Sequence, residues 1–307
     1  EGTEYTSPLI DTMVLRKSFG KWVLPSRNEK VEQETFEGAF VLQPEAGVFK
    51  SVGVFDLSRF YPNVILSNSL DPRILGLYKQ THDKIDWDEY KEFASKQDDS
   101  LILDVVADLM RKRTELESTG HITKLAAVKG ILNACYGILA HGKIRFYMPE
   151  LASRITEVAR DIIQKLGQEA NTWGYTLRYC DTDSLFLTVP KEEISIVDER
   201  LNEELKKYGN YTIKLDHYFL SVLFIGAKKR YVGLNEDGTL SVTGFDRIRS
   251  DSSNYTRTVQ EDIFQLILTD QSDKIIPYLQ DKIKNIRNCN LSAIVVSKTL
   301  SRPLGEY

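Results

Sequence analysis

The chain has 307 residues, 42% of them hydrophobic, enough for two domains or for one domain with insertions around a sizeable core. Its formal net charge of -4 excludes a generally basic surface, so any contact with nucleic acid has to come from local patches or bound cations. Three widely spaced cysteines, Cys135, Cys180 and Cys289, fit neither a disulfide framework nor a CxxC metal knuckle and suggest a reducing, intracellular setting.

Residues 1 to 47 show a short periodic segment, PLIDTMVLRKSF, followed by PSRNEKVEQE, which reads as a surface connection. SVGVFD then has β character and ends on Asp56, and Pro62 in the following LSRFYPNVIL is expected to break the local structure. DSLILDVVADLMRKRTELE has helical spacing, STGH interrupts it, and ITKLAAVKGILNACYGILA resumes it, which together predict a helical hairpin. A third helix over about 150 to 170 leads into WGYTLRYC, a strand that turns at DTD and returns as SLFLTV. A charged helix near 191 to 207 follows, and then alternating strand and turn with NEDG at a hairpin tip. Residues 254 to 288 read as helical, so the expected class is α+β with an antiparallel sheet. No apolar run is expected to reach the roughly 18 to 20 residues of a membrane span, and no charged-then-apolar leader is seen, so the chain reads as soluble and untargeted.

Three stretches carry chemistry. DTDS holds two carboxylates one residue apart. As an Asx-rich turn it needs only local hydrogen bonds, but over a sheet surface the charges repel unless a cation joins them, and Mg²⁺ suits such hard oxygen donors. Asp56 ends the other β-like run. If the two strand ends are neighbours in one sheet, they build a two-ion site suited to phosphoryl or nucleotidyl transfer; alone, Asp56 could cap the next turn. In KGILNACYG, helical spacing places Lys129, Asn133 and Tyr136 on one stripe while Val128, Leu132, Cys135 and Leu139 mark an apolar face.

DLSRFYP at 56 to 62, KGILNACYG at 129 to 137 and YCDTDS at 179 to 184 resemble, in order, motifs A, B and C of family B DNA polymerases. AKKRYVGL at 227 to 234 is similar to the family's KKxY segment, and FEGAFVLQPEAG to the stretch leading into motif A, most like archaeal members. The resemblance implies an antiparallel-sheet palm with an inserted helical fingers hairpin and a partial helical thumb. The expected divisions are 1–72 for the lead-in to the palm with motif A, 73–141 for the fingers, 142–250 for the palm with motif C, and 251–307 for the start of the thumb.

The same resemblance implies a DNA-directed DNA polymerase that extends a primer 3′ end on template DNA with deoxynucleotides and two Mg²⁺ ions. Asp56, Asp181 and Asp183 would be its catalytic carboxylates, with Asp56, the Leu57 carbonyl and Asp183 as metal ligands and Asp181 in support. Leu57, Ser58, Arg59, Phe60 and Tyr61 would border the nucleotide, Tyr61 as the steric gate against a 2′-hydroxyl. Arg113, Lys129 and Asn133 would hold the triphosphate, and Tyr136 the nascent pair. Thr182, Lys228, Lys229, Arg230 and Tyr231 would follow the DNA, where cations give sequence-independent affinity.

Arg59 stands where the family usually has Ser, Ala134 replaces Ser after Asn133, and Cys180 replaces a small residue; the fingers hairpin, with 16 positions from Arg113 to Lys129, is short. No acidic exonuclease motifs are seen upstream of Asp56, and AIVVSKTLSRPLGEY resembles a segment partway through a thumb. A fragment or split subunit is expected, with a missing exonuclease region, thumb or sliding clamp as partners and a cytoplasmic, nucleoid-associated location. A reverse transcriptase also pairs strand-end aspartates, but motif B and Tyr61 speak against it; a catalytically idle palm serving as a scaffold is the other alternative.

Overall fold

A computed structural model describes residues 3–26, 34–245, 252–296 and 305. Most of the connection expected over PSRNEKVEQE and the terminal SKTLSRPL and EY of the thumb-like segment lie outside the described residues. The chain groups into two compact units, residues 1–40, 57–165 and 202–212 in one, and 41–56, 166–201 and 213–307 in the other.

The helices of the first unit begin with α1, Thr3–Ser18. After β1, Gly47–Leu57, come three short helices: α2, Phe60–Ser67, α3, Pro72–Tyr78, and α4, Trp87–Ser95. The expected break at Pro62 is not there. Pro62 occupies the first turn of α2, where its missing N–H would have had no helical partner, so it is accommodated and buried. The helical hairpin follows as α5, Leu103–Thr119, and α6, Ile122–Ala140, with Gly120 closing α5 in the left-handed region at φ 69°. Val128, Leu132, Cys135 and Leu139 are all buried, as the apolar stripe requires. Against expectation, α6 is long and apolar enough to cross a membrane by length and composition alone. One face of it packs against α1 and α5, and positions such as Lys129 and Asn133 stay exposed.

One carboxylate fixes the start of α5. Ile102, its N-cap, offers no side-chain bond, and the fully buried Asp71 takes that place. Asp71 Oδ2 accepts the N–H groups of Leu101 at 2.8 Å, Ile102 at 2.6 Å and Leu103 at 3.3 Å. Its Oδ1 accepts those of Arg73 at 2.9 Å and Ile74 at 3.3 Å, capping α3 as well.

In the second unit six strands form one sheet in the order β2-β3-β1-β4-β5-β6. α7, Pro149–Thr172, precedes β2, Thr176–Asp181, and β3, Ser184–Thr188. After α8, Ile194–Leu205, come β4, Ile213–Phe224, β5, Tyr231–Asn235, and β6, Leu240–Thr243. β5 and β6 are joined by a turn at the expected NEDG, where Gly238 supplies φ 82°. Val52, Val54, Tyr179, Phe186, Phe219, Val222 and Phe224 form the core on one face. α9, Asn254–Leu268, covers β5 through Phe264 and Leu268, and α10, Ile275–Asn285, and α11, Leu291–Ile294, follow. On α7, a Cβ at Gly167 would lie 2.7 Å from Leu177 Cδ2, so a larger residue there would require the Leu177 side chain to shift.

Replacing Asp71 by Ala would leave five N–H groups without their acceptor, three of them at the buried start of α5. A loss of about 3 kcal/mol is expected in urea unfolding; a loss under about 1 kcal/mol would mean that water replaces the carboxylate.

Candidate functional site

Site chemistry in the second unit starts from strand register. β1 and β3 pair antiparallel with Val54 opposite Phe186 and Asp56 opposite Ser184; β2 and β3 pair with Asp181 opposite the same Ser184. Because side chains alternate faces with period two, Asp56, Ser184 and Asp181 form a row across three strands, on the face that carries Val54, Phe186 and Tyr179. The row is half-buried at the rim of that aromatic core. Asp183 sits beside it in the turn between β2 and β3, its N–H bonded to the Asp181 carbonyl at 2.7 Å.

The turn residue Thr182 has φ 62°, a conformation costly for a β-branched side chain, of order 1–2 kcal/mol. Glycine would relieve that strain; this sequence instead holds a threonine whose Oγ1 donates to Asp181 Oδ1 at 3.2 Å.

Asp181 has further partners. Lys229 Nζ lies 2.6 Å from Oδ1, and the Tyr179 hydroxyl donates to Oδ2 at 3.4 Å while accepting the Lys229 N–H at 2.9 Å. The Lys229 backbone is itself left-handed, φ 59°, and a Cβ on Gly244 would fall 2.2 Å from the Lys229 carbonyl, so glycine is required beside this turn. The two lysines and Arg230 are exposed, whereas Tyr231 joins the aromatic core, its ring 5.0 Å from that of Phe186. Asp181 and the KKRY segment are tied together through a pair 48 positions apart, which no local pattern signals.

Residue 41 forms a bridge to Asp181, and the Leu42 N–H bonds the Cys180 carbonyl at 3.0 Å, so the FVLQ stretch covers the outer side of β2. Cys180 is buried, and burial followed by the charges of Asp181 and Asp183 pushes its thiol up to about 12. Its extra bulk relative to a smaller residue fits inside the sheet.

The first unit carries the other expected residues. Leu57 and Phe60 are buried, and Tyr61 packs against Tyr136 of α6 with ring centroids 4.9 Å apart and planes tilted by 38°. The Ser58 N–H bonds the Thr212 carbonyl at 2.9 Å, and Asn63 Nδ2 donates to the Ser58 carbonyl at 3.0 Å, fixing the chain between β1 and α2. Lys129 and Asn133 are exposed on the stripe of α6 that the spacing assigned them. Arg113 Nε lies 2.9 Å from Glu117 Oε1, and Glu117 also pairs with Arg59. Partial burial works against the Glu117 charge, but the two guanidiniums hold its carboxyl below the usual range.

Among the described residues no three His, Cys, Asp or Glu side chains gather as a metal cluster. The expected ligand set is smaller: two hard carboxylates, Asp56 near the end of β1 and Asp183 in the turn before β3, and the carbonyl of Leu57 on the next peptide of β1. That donor set fits Mg²⁺, which takes one or two protein carboxylates and completes its shell with water and phosphate oxygens.

Cys135 is buried too, its thiol pushed up to about 12 by burial, while Cys289 is half-exposed. At pH 8 a thiol reagent should therefore titrate about one cysteine per native chain and three in denaturant; rapid reaction of a second native thiol would contradict this burial.

The profile of DNA polymerase family B matches residues 4–307. A DNA polymerase of Archaeoglobus fulgidus is 28% identical over 96% of this chain and 40% of its own length, and DNA polymerase 2 of Aeropyrum pernix is 29% identical over 93% and 37%. The structure of the family B DNA polymerase from Pyrobaculum calidifontis superposes with a TM-score of 0.72 at 26% identity, covering 98% of this chain and 41% of that one. The chain thus spans about two fifths of the length of these relatives. With the ordered motifs, the palm-type sheet and a match along nearly all its length, this chain belongs to DNA polymerase family B.

Proposed function

We propose that this chain is the nucleotidyl-transfer core of a DNA-directed DNA polymerase, adding deoxynucleotides to a primer 3′ end with release of pyrophosphate. The observation that carries the reading is the register that sets Asp56 and Asp181 on either side of Ser184 with Asp183 in the adjoining turn. Asp56, Asp183 and the Leu57 carbonyl would hold two Mg²⁺ ions, and these ions, when bound, stabilise charge on the attacking and leaving oxygens. Asp181 has a different task. Bound to Lys229, it orients the KKRY turn, whose exposed cations would follow the primer–template backbone.

Arg113, Lys129 and Asn133 would bind the triphosphate, the guanidinium by its planar fork and the lysine as a point charge. Tyr61, supported by Tyr136, would lie under the sugar and reject a 2′-hydroxyl. With bases and acids committed to binding, the chain's own contribution to rate is positioning. The chain matches about two fifths of its relatives' length, so an exonuclease region, a complete thumb and a sliding clamp are proposed as partners, with a location at the nucleoid in the cytoplasm. A catalytically idle palm gains no support from a sheet that keeps all three carboxylates.

Primer extension tests the reading. Asp183→Ala, or chelation of divalent ions, should reduce extension at least 10³-fold, of the order expected when a transition-state ligand is lost; extension by D183A at the wild-type rate would remove Asp183 from the site. Tyr61→Ala should narrow the preference for deoxynucleotides over ribonucleotides by about tenfold or more, read as the ratio of kcat/KM values; an unchanged ratio would assign discrimination elsewhere.

A further inference from the structure

Arg59 is the departure from family pattern with the most extensive contacts. It is the N-cap of α2 at φ 55°, and its guanidinium reaches α5, where Nη1 donates to Thr114 Oγ1 at 2.9 Å and Nη2 pairs with Glu117 Oε2. Thr114 Oγ1 in turn donates to the Met110 carbonyl at 3.1 Å, which aims its lone pairs at Arg59. The other oxygen of Glu117 takes Nε of Arg113, one helical turn away. One carboxylate thus serves two arginines, each only 18% exposed in its side chain, while Glu117 is 39% exposed.

The arrangement sets the charge of the triphosphate-binding face. Two guanidiniums and one carboxylate sum to a single positive charge; without Arg59 the sum is zero, and Glu117 is left with Arg113 alone. A phosphate approaching Arg113 has to compete with Glu117 for the same cation. Arg113 meets Glu117 through Nε, so the outer edge of its fork is not used in that pair. We infer that Arg59 is a positioning residue for nucleotide binding: by taking one oxygen of the Glu117 carboxylate it leaves Arg113 less engaged by that acid and available to a triphosphate. This rests on the polymerase reading. It also explains how the chain carries Arg where a small hydroxyl residue is usual, since the long side chain compensates an acid on the helix above.

The test is equilibrium binding of dTTP by calorimetry, with KM for dTTP on a primer–template, for wild type, R59A, E117Q and R59A/E117Q, each checked for its fold by circular dichroism. R59A should weaken dTTP binding and raise KM by about three- to tenfold, a modest effect because the cluster is partly solvated. E117Q should bind dTTP more tightly than wild type, and the double variant should come within about twofold of E117Q. A purely structural strap between α2 and α5 predicts the opposite: E117Q no better than wild type and a double variant as weak as R59A. Either result overturns the inference, and E117Q decides it even if R59A does not fold. If wild type binds dTTP and extends primers while R59A matches it, the inference alone falls; if wild type does neither, the polymerase reading falls and takes the inference with it.

Discussion

The site depends first on one antiparallel register. Pairing of β1 with β3 places Asp56 opposite Ser184 and Val54 opposite Phe186. A slip of β1 by one residue would turn Asp56 and Val54 to the other face, away from Ser184 and Phe186. The aromatic core formed by Tyr179, Phe186 and Phe224 therefore does more than stabilise the sheet: its burial is what holds the carboxylates in line. The Thr182 turn adds strain to that frame, and the frame can sustain it because β2 is paired on both sides, to β3 and to the bridge at Val41.

A second constraint serves the helical hairpin. Helix α5 carries Arg113 and Glu117 and starts without a cap of its own; Asp71, buried and 30 positions upstream of Leu101, caps it and α3 together. Since rigid placement of Arg113 depends on where α5 begins, a residue with no chemical role governs one that is expected to bind phosphate. Both units use the same device, a carboxylate satisfied by several donors. Asp71 is sealed among backbone N–H groups, whereas Asp181 remains half-buried and shares a lysine that is 61% exposed. The first is structural in consequence, and the second leaves its cation open to a ligand.

Much of the fold was legible where a periodic pattern ran long. The α5–α6 hairpin, α7 and the β2–β3 and β5–β6 hairpins follow their apolar spacing and turn residues closely. The helices α2, α3 and α4 were not legible, because each is under ten residues, too short to declare a period and too short to be stable alone. They exist through packing, as when Tyr78 and Tyr90 meet edge to face at 5.7 Å in the core. The effect of Pro62 was not legible because a proline is accommodated in the first turn of a helix and breaks it further on, and α2 starts at Phe60 without a side-chain cap to signal it.

By itself the sequence determined which residues could do chemistry: carboxylates after two β runs, a Lys-Asn-Tyr stripe at helical spacing, and a basic segment ahead of a strand. Local rules suffice for these, since period and turn chemistry act over a few residues. The tertiary structure alone decided the pairings, Asp181 with Lys229, Asp56 across from Ser184, and Glu117 shared by Arg59 and Arg113. The physical reason is distance along the chain. Charge pairing and strand register act between segments brought together only when the core closes, so no window of sequence contains them.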